Sequence, residues 1–188
     1  CPQGRIVGVD PHRLGPVQAV LSAKEHLSDG PIVVNYCDFT CDWDWADFKR
    51  FVAGNGCDGA IPCYRGFHPH TLWSNYYAYV RETDGWGTDI QEKTPFTDDP
   101  RSEFASSGTY YFASRDIFLE YAGKMIDQGL TVGGEYYVSM AYKPMFNEGR
   151  RVAVYELDHF MQWGVPDDLE EYLYFSGAFR ALAGQKRA

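Results

Sequence analysis

No apolar run in the 188 residues approaches the roughly 20 needed to span a bilayer, so no segment reads as a membrane helix. Cys1 to Asp10 lacks a basic region followed by an apolar one, and the N-terminus does not read as a secretory signal. Basic charge is scarce: 17 Lys and Arg stand against 26 Asp and Glu, a formal net charge of -9. That balance argues against nonspecific binding to nucleic acid or to an anionic membrane. A phosphorylated ligand stays compatible with it, because local donors and a metal override the overall charge. There is no Gly-x-Ser-x-Gly, no P-loop and no dinucleotide fingerprint. The five cysteines, Cys1, Cys37, Cys41, Cys57 and Cys63, are odd in number and loosely spaced for zinc. Reduced thiols in a cytoplasmic protein are expected.

Hydrophobic residues make up 45% of the chain and charged residues 23%, the balance of a globular protein. With no repeat, linker or low-complexity tract, residues 1–188 are expected to form one α/β domain. Pro31 to Phe39, Pro-Ile-Val-Val-Asn-Tyr-Cys-Asp-Phe, reads as a buried strand ending on Asp38. Before it come a short strand over Gly4 to Asp10 and a helix opened by Pro16, so the start reads as a strand–helix–strand unit of a parallel sheet. A helix is expected over Asp44 to Val52, and a strand over Gly59 to Tyr64. Asn75 to Glu82 and Thr88 to Lys93 read as antiparallel partners about Asp84-Gly85. Ser106 to Ala113 is a further strand. Ser114 caps a helix whose apolar face is Ile117, Phe118, Tyr121, Ala122 and Met125. Gly133-Gly134 opens a helix that Pro144 ends or bends, and Arg151 to Leu157 is a strand. Pro166 starts a helix to about Leu173, and Ser176 to Ala188 forms another that frays into a basic tail.

Several residues on the edges of this sheet carry candidate chemistry. Asp38, at a strand end, is placed to hold a cation such as Mg²⁺, although Asp also commonly starts the turn after a strand. Gln18 lies in the first turn of a helix, where unpaired N–H groups suit an acceptor-rich ligand and an amide can pair with a base edge. Glu92-Lys93 reads either as an exposed charged turn or as a carboxylate and point charge for ligand hydroxyls and phosphate. Glu135 reads as a helix-start carboxylate for which capping is a sufficient reason. His68 and His70 flank a proline without a convincing third metal ligand. Of Tyr76, Tyr77, Tyr79, Tyr110 and Tyr111, some are expected to line a ligand site and most to pack.

In this order the features resemble the sugar-phosphate nucleotidyltransferase family, which includes the glucose-1-phosphate thymidylyltransferases and capsule-biosynthesis relatives. The matching pieces are Gly15-Pro-Val-Gln18-Ala, Asn35-Tyr-Cys-Asp38, Glu92-Lys93, Gly108-Thr-Tyr-Tyr-Phe, Gly134-Glu135-Tyr-Tyr-Val-Ser and Phe160-Met-Gln-Trp-Gly164-Val-Pro166-Asp-Asp-Leu169. The resemblance implies a Rossmann-like mixed, mostly parallel sheet flanked by helices, of the nucleotide-diphospho-sugar transferase type. It implies a Mg²⁺-dependent condensation of a nucleoside triphosphate with a sugar phosphate or similar phosphorylated compound, releasing pyrophosphate. Gly15 and Gln18 would bind the nucleotide, and Asp38 the Mg²⁺. Glu92, Lys93, Gly108 and Glu135 would bind the sugar phosphate, with Asp38 and Lys93 carrying the chemistry.

Two departures accompany it. The family's first strand and Gly-rich phosphate loop would lie some tens of residues before Cys1, which leaves three alternatives open: the sequence is a fragment, a separate N-terminal segment completes the fold, or the catalytic function is lost; a homo-oligomer is also open as a partner state. Many members also carry a second metal-binding Asp where this chain has Gln162; Asp158, four residues upstream, is the alternative ligand. A noncatalytic nucleotide- or sugar-phosphate-binding module is a second reading. A related glycosyltransferase is a third, although Asp42-Trp43-Asp44 falls four residues late for its metal motif.

Overall fold

The computed structural model describes residues 3–72 and 76–185. Pro16 opens α1 (Pro16–Ser22), with Gly15 as N-cap and Val17 fully buried beneath it. Strands β1 (Ile32–Asn35) and β2 (Phe39–Asp42) follow, then α2 (Trp45–Asn55), β3 (Gly59–Tyr64), β4 (Ala78–Thr83) and β5 (Trp86–Glu92). Next come β6 (Phe104–Ser106), β7 (Thr109–Phe112), α3 (Arg115–Asp127) and α4 (Tyr142–Asn147). The chain closes with β8 (Val152–Glu156), β9 (His159–Gln162) and α5 (Pro166–Gln185).

Seven strands form one sheet in the order β1-β7-β3-β6-β4-β5-β8, and β2 pairs with β9 in a separate ribbon. The buried middle is β3, every residue of which is inaccessible. It runs parallel to β8 on one side and antiparallel to β7 and then β6 on the other. The sheet is mixed and helix-flanked, as expected. Its parallel part is narrower than expected, because β3–β8 is the one parallel pairing among the described strands.

Three local expectations are corrected. Gly4 to Asp10 is not a strand; Ile6 is 97% exposed, and an isolated extended segment has no ladder to satisfy its backbone. The opening is therefore helix then strand, and β1 is a half-exposed edge strand antiparallel to β7 rather than a buried central one. Gly133-Gly134 opens no helix: both residues have positive φ and form a tight turn in which Val132 and Glu135 exchange backbone hydrogen bonds. Pro144 sits in the first turn of α4, where its missing N–H costs nothing. The last two helices are one, since Gly177 is absorbed inside α5.

The expected apolar face of α3 packs on the sheet, with Phe118, Tyr121, Ala122 and Met125 fully buried. Ser114 caps it, its Oγ accepting from the Ile117 N–H at 3.1 Å. Replacing Ser114 with Ala is expected to lower stability by about 1 kcal/mol, read as a drop in the urea midpoint at unchanged slope. The β2–β9 ribbon is tied to the sheet by Phe160, which stacks on Tyr64 with ring centroids 4.3 Å apart.

Candidate active site

β6 and β7 are two halves of one extended run broken at Ser107-Gly108, and the break opens a cavity of about 230 Å³. Gly108 has φ +84°, and a Cβ there would meet the Tyr36 ring at 3.1 Å and the Phe39 ring at 3.2 Å. Only glycine lets the backbone turn here beneath those rings. Ser107 is 2% exposed, lines the cavity and has no hydrogen-bond partner for its hydroxyl among the described residues. A buried donor left unpaired is costly, so a ligand hydroxyl or water is a natural partner for it.

Asp38 and Gln162 line the same cavity from the β2–β9 ribbon. Their neighbours hold them there: Phe39 pairs with Gln162, and the Trp163 N–H donates to the Asp38 carbonyl at 2.9 Å. Both side chains lie against Gly164, where an added Cβ would stand 2.5 Å from Asp38 Oδ2 and 2.9 Å from Gln162 Nε2. Among the described residues no three His, Cys, Asp or Glu side chains cluster at metal-ligand spacing. One carboxylate, an amide and substrate phosphate oxygens form a donor set that suits Mg²⁺.

The opposite wall comes from the end of β5. Lys93 adopts φ +58°, and its N–H donates to the Tyr77 carbonyl at 2.8 Å. Its ammonium donates to Tyr137 Oη at 2.5 Å. Partial burial pushes the Lys93 pKa down, but the Tyr137 hydroxyl, Glu92 and Glu135 outweigh it and leave the pKa above its usual value. Lys93 is therefore a fixed cation at neutral pH. Glu92 accepts from Ser139 Oγ at 2.5 Å. Burial raises its pKa, opposed by the Ser139 hydrogen bond and by Lys93. Tyr36 forms the floor, its hydroxyl accepting from the Val138 N–H at 3.4 Å, and burial lifts its pKa far from neutrality.

Asp38, Glu92, Lys93, Gly108 and Gln162 thus line one cavity, together with Tyr76, Tyr77 and Tyr110. Tyr79 packs instead in the aromatic cluster around Tyr64, and Tyr111 lies against the cluster around Phe48. Gly15 and Gln18 do not line the cavity. Gly15 is pressed against Tyr136, the chain neighbour of the lining residue Tyr137: a Cβ there would stand 2.7 Å from the Tyr136 nitrogen, and the Val17 N–H donates to the Tyr136 carbonyl. Glu135 stands in the turn just before Tyr137, near Lys93. Asp158 faces a different depression, beside His68 and His159. A larger apolar hollow of about 390 Å³ lies across Phe160 and Gln162 beneath α5; Asp38, Glu92 and Lys93 line the smaller one. His70 is buried at its edge and shares a 2.9 Å hydrogen bond with the Tyr64 hydroxyl. Cys57 and Cys63 are buried free thiols, and Cys1 lies outside the described residues.

Sequence reasoning missed Tyr137, Ser139 and Ser107. Tyr137 and Ser139 sit inside the Gly134-Glu135-Tyr-Tyr-Val-Ser match, but Tyr137 only precedes, and Ser139 lies within, a single 3-10 turn, Val138–Ala141, which left no periodicity to single them out.

No protein-family model matches the chain, and no curated protein matches it by sequence. Solved structures match its fold. A nucleoside-diphosphate-sugar pyrophosphorylase from Vibrio cholerae RC9 superposes with a TM-score of 0.70 at 18% identity, over 88% of this chain and 67% of that one. A UDP-glucose pyrophosphorylase complexed with UDP-glucose gives 0.65 at 18% identity, over 90% of this chain and 64% of that one. An apo UDP-glucose pyrophosphorylase gives 0.66 at 18% identity, over 95% and 63%. This chain has the fold of the nucleotide-sugar pyrophosphorylases and spans about two thirds of their length.

Proposed function

We propose that the protein is a sugar-phosphate nucleotidyltransferase, joining a nucleoside triphosphate to a sugar phosphate with release of pyrophosphate. The observation that carries this reading is the meeting of Asp38, Glu92, Lys93 and Gly108 in one cavity of a pyrophosphorylase fold. Asp38, the Glu92-Lys93 pair and Gly108 come from three separate places in the chain, and packing alone gives no reason for a carboxylate to face that pair across a cavity.

In this reading Asp38 holds Mg²⁺, with the Gln162 amide beside it, and the metal supplies charge neutralisation for the phosphates when bound. Lys93, fixed by Tyr137, meets the sugar phosphate as a point charge. Glu92, steadied by Ser139, accepts from sugar hydroxyls, and Ser107 pairs with another. Glu135 stands beside this wall of the sugar-phosphate site and adds a small share to the field that favours the charged lysine. Gly15 and Gln18 take the nucleotide from the α1 side. The attacking phosphate is already ionised, so the site needs positioning and charge more than a general base. Synthesis of a surface polysaccharide in the cytoplasm is the setting that the capsule relatives suggest.

Pyrophosphate release tests the reading, with Mg²⁺, each nucleoside triphosphate and a panel of sugar phosphates, for this chain and for the longest protein encoded around it. Release with one sugar phosphate, lost on chelation, supports it. Failure of both proteins to release pyrophosphate or to bind any sugar phosphate overturns it.

A further inference from the structure

The Asn35-Tyr-Cys-Asp38 stretch brings a second side chain to the cavity besides Asp38. Tyr36 lines it as the floor, placed there by three contacts. Its N–H donates to the Gly108 carbonyl at 3.0 Å, and its ring meets Tyr110 edge-on with centroids 5.9 Å apart. The third is Gly108 itself, where a Cβ would stand 3.1 Å from Cδ2 of the Tyr36 ring. Phenylalanine would satisfy this packing equally well, so the hydroxyl needs its own account.

A phenol hydroxyl has one proton to donate and lone pairs with which to accept. Tyr36 Oη takes the Val138 N–H at 3.4 Å, beyond the roughly 2.7–3.2 Å usual for such a bond. Among the described residues nothing accepts its proton. The neighbouring hydroxyls are committed differently. Tyr137 Oη takes the Lys93 ammonium, and Ser106 Oγ accepts from the Gly108 N–H at 3.2 Å. On the facing wall an ionised Glu92 can only accept, and Lys93 can only donate. The floor thus offers a neutral donor, fixed in place, to whatever fills the cavity.

We infer that Tyr36 is a specificity-determining residue, its hydroxyl donating to one hydroxyl oxygen of the sugar phosphate and selecting compounds that carry an oxygen there. The inference rests on the nucleotidyltransferase reading above. A site that meets a ligand hydroxyl with a buried polar group rejects the analogue lacking it, because the protein's own group is then left unpaired. Glu92 reads a second hydroxyl in the opposite sense, by accepting its proton. The cavity therefore sorts ligand oxygens by the partner each one needs, and a phosphorylated compound bare of hydroxyls forfeits both contacts.

Titration calorimetry on the whole chain tests it, with the 1-phosphates of glucose, galactose and mannose and each monodeoxy derivative of the tightest. Loss of one particular hydroxyl is expected to weaken binding to the unaltered chain between about 10- and 100-fold. Tyr36→Phe is expected to weaken the parent compound by a similar factor, yet to bind that one derivative as the unaltered chain does. Every other derivative should lose the same factor on the substitution as the parent does. A tyrosine that only shapes the floor would cost all derivatives alike; that result overturns the inference and leaves the nucleotidyltransferase reading standing. Should Tyr36→Phe lose its fold by circular dichroism, deoxyfluoro derivatives on the unaltered chain take its place. Fluorine accepts weakly and cannot donate. At the position read by Tyr36 the fluoro compound is expected to bind about threefold tighter than the deoxy one, and at the position read by Glu92 it recovers nothing. If fluorine recovers binding at no position, the inference is again overturned. Failure of all three hexose phosphates to bind removes the acceptor site, and the inference falls together with the reading it rests on.

Discussion

Asp38→Asn is expected to reduce Mg²⁺-dependent pyrophosphate release by a factor on the order of 10²–10³, with little change in thermal stability. The magnitude follows from deleting one preorganised electrostatic contact at a phosphoryl centre. The side chain keeps its shape and its place against Gly164, so packing is preserved while the charge is lost. Titration with Mg²⁺ separates the causes. A variant whose activity returns at high Mg²⁺ has lost affinity for the metal, whereas one that stays silent has lost the charge itself. Full activity in the variant would remove Asp38 from the chemistry and leave Lys93 as the cavity's one expected catalytic group.

The second large effect is on stability in acid. His70 is 3% exposed, and burial, helped by the nearby His68, holds its pKa down to about 4. In the unfolded chain its pKa is near 6.5. The unfolded state therefore binds the proton more readily, and the stability tied to neutral His70 is present above pH 6.5 and lost as pH falls towards 4. The shift corresponds to about 3 kcal/mol over that window. His68, also lowered by burial, acts in the same direction. Urea unfolding at a series of pH values is expected to show this loss. His70→Gln, able to keep the hydrogen bond to Tyr64, should flatten the slope between pH 6.5 and 4. An unchanged slope would place the acid lability elsewhere.

What could be read from the sequence was whatever local pattern decides. The boundaries of β3 follow from a short apolar run between turn residues, and α3 from a cap followed by a 3.6-residue stripe. Gly4 to Asp10 has a strand's composition but no partner, and pairing is a tertiary fact that composition does not contain. The Gly133-Gly134 pair looked like a helix start because the two positive φ values that close its turn leave no mark distinct from a cap. The expected gap between Leu173 and Ser176 is not there; α5 runs through it and carries Gly177 inside, because one glycine costs only about 1 kcal/mol in a helix. In the site, Asp38, Glu92 and Lys93 stood out through short matched stretches. The hydrogen bonds of Tyr137 to Lys93 and of Ser139 to Glu92 span more than forty residues and had no local signature.

The break between β6 and β7 has a kinetic consequence. The cavity that it opens draws its walls from residues as far apart as Tyr36 and Gln162, so no early-folding piece of the chain contains it. Pairings of that sequence separation close slowly, on the millisecond-to-second scale typical of non-local sheets. During refolding, ligand affinity should therefore return with the slowest phase rather than with the first helices. Once formed, the cavity couples both halves of the chain: a ligand present at about 100 times its Kd would add roughly 2.7 kcal/mol against global unfolding.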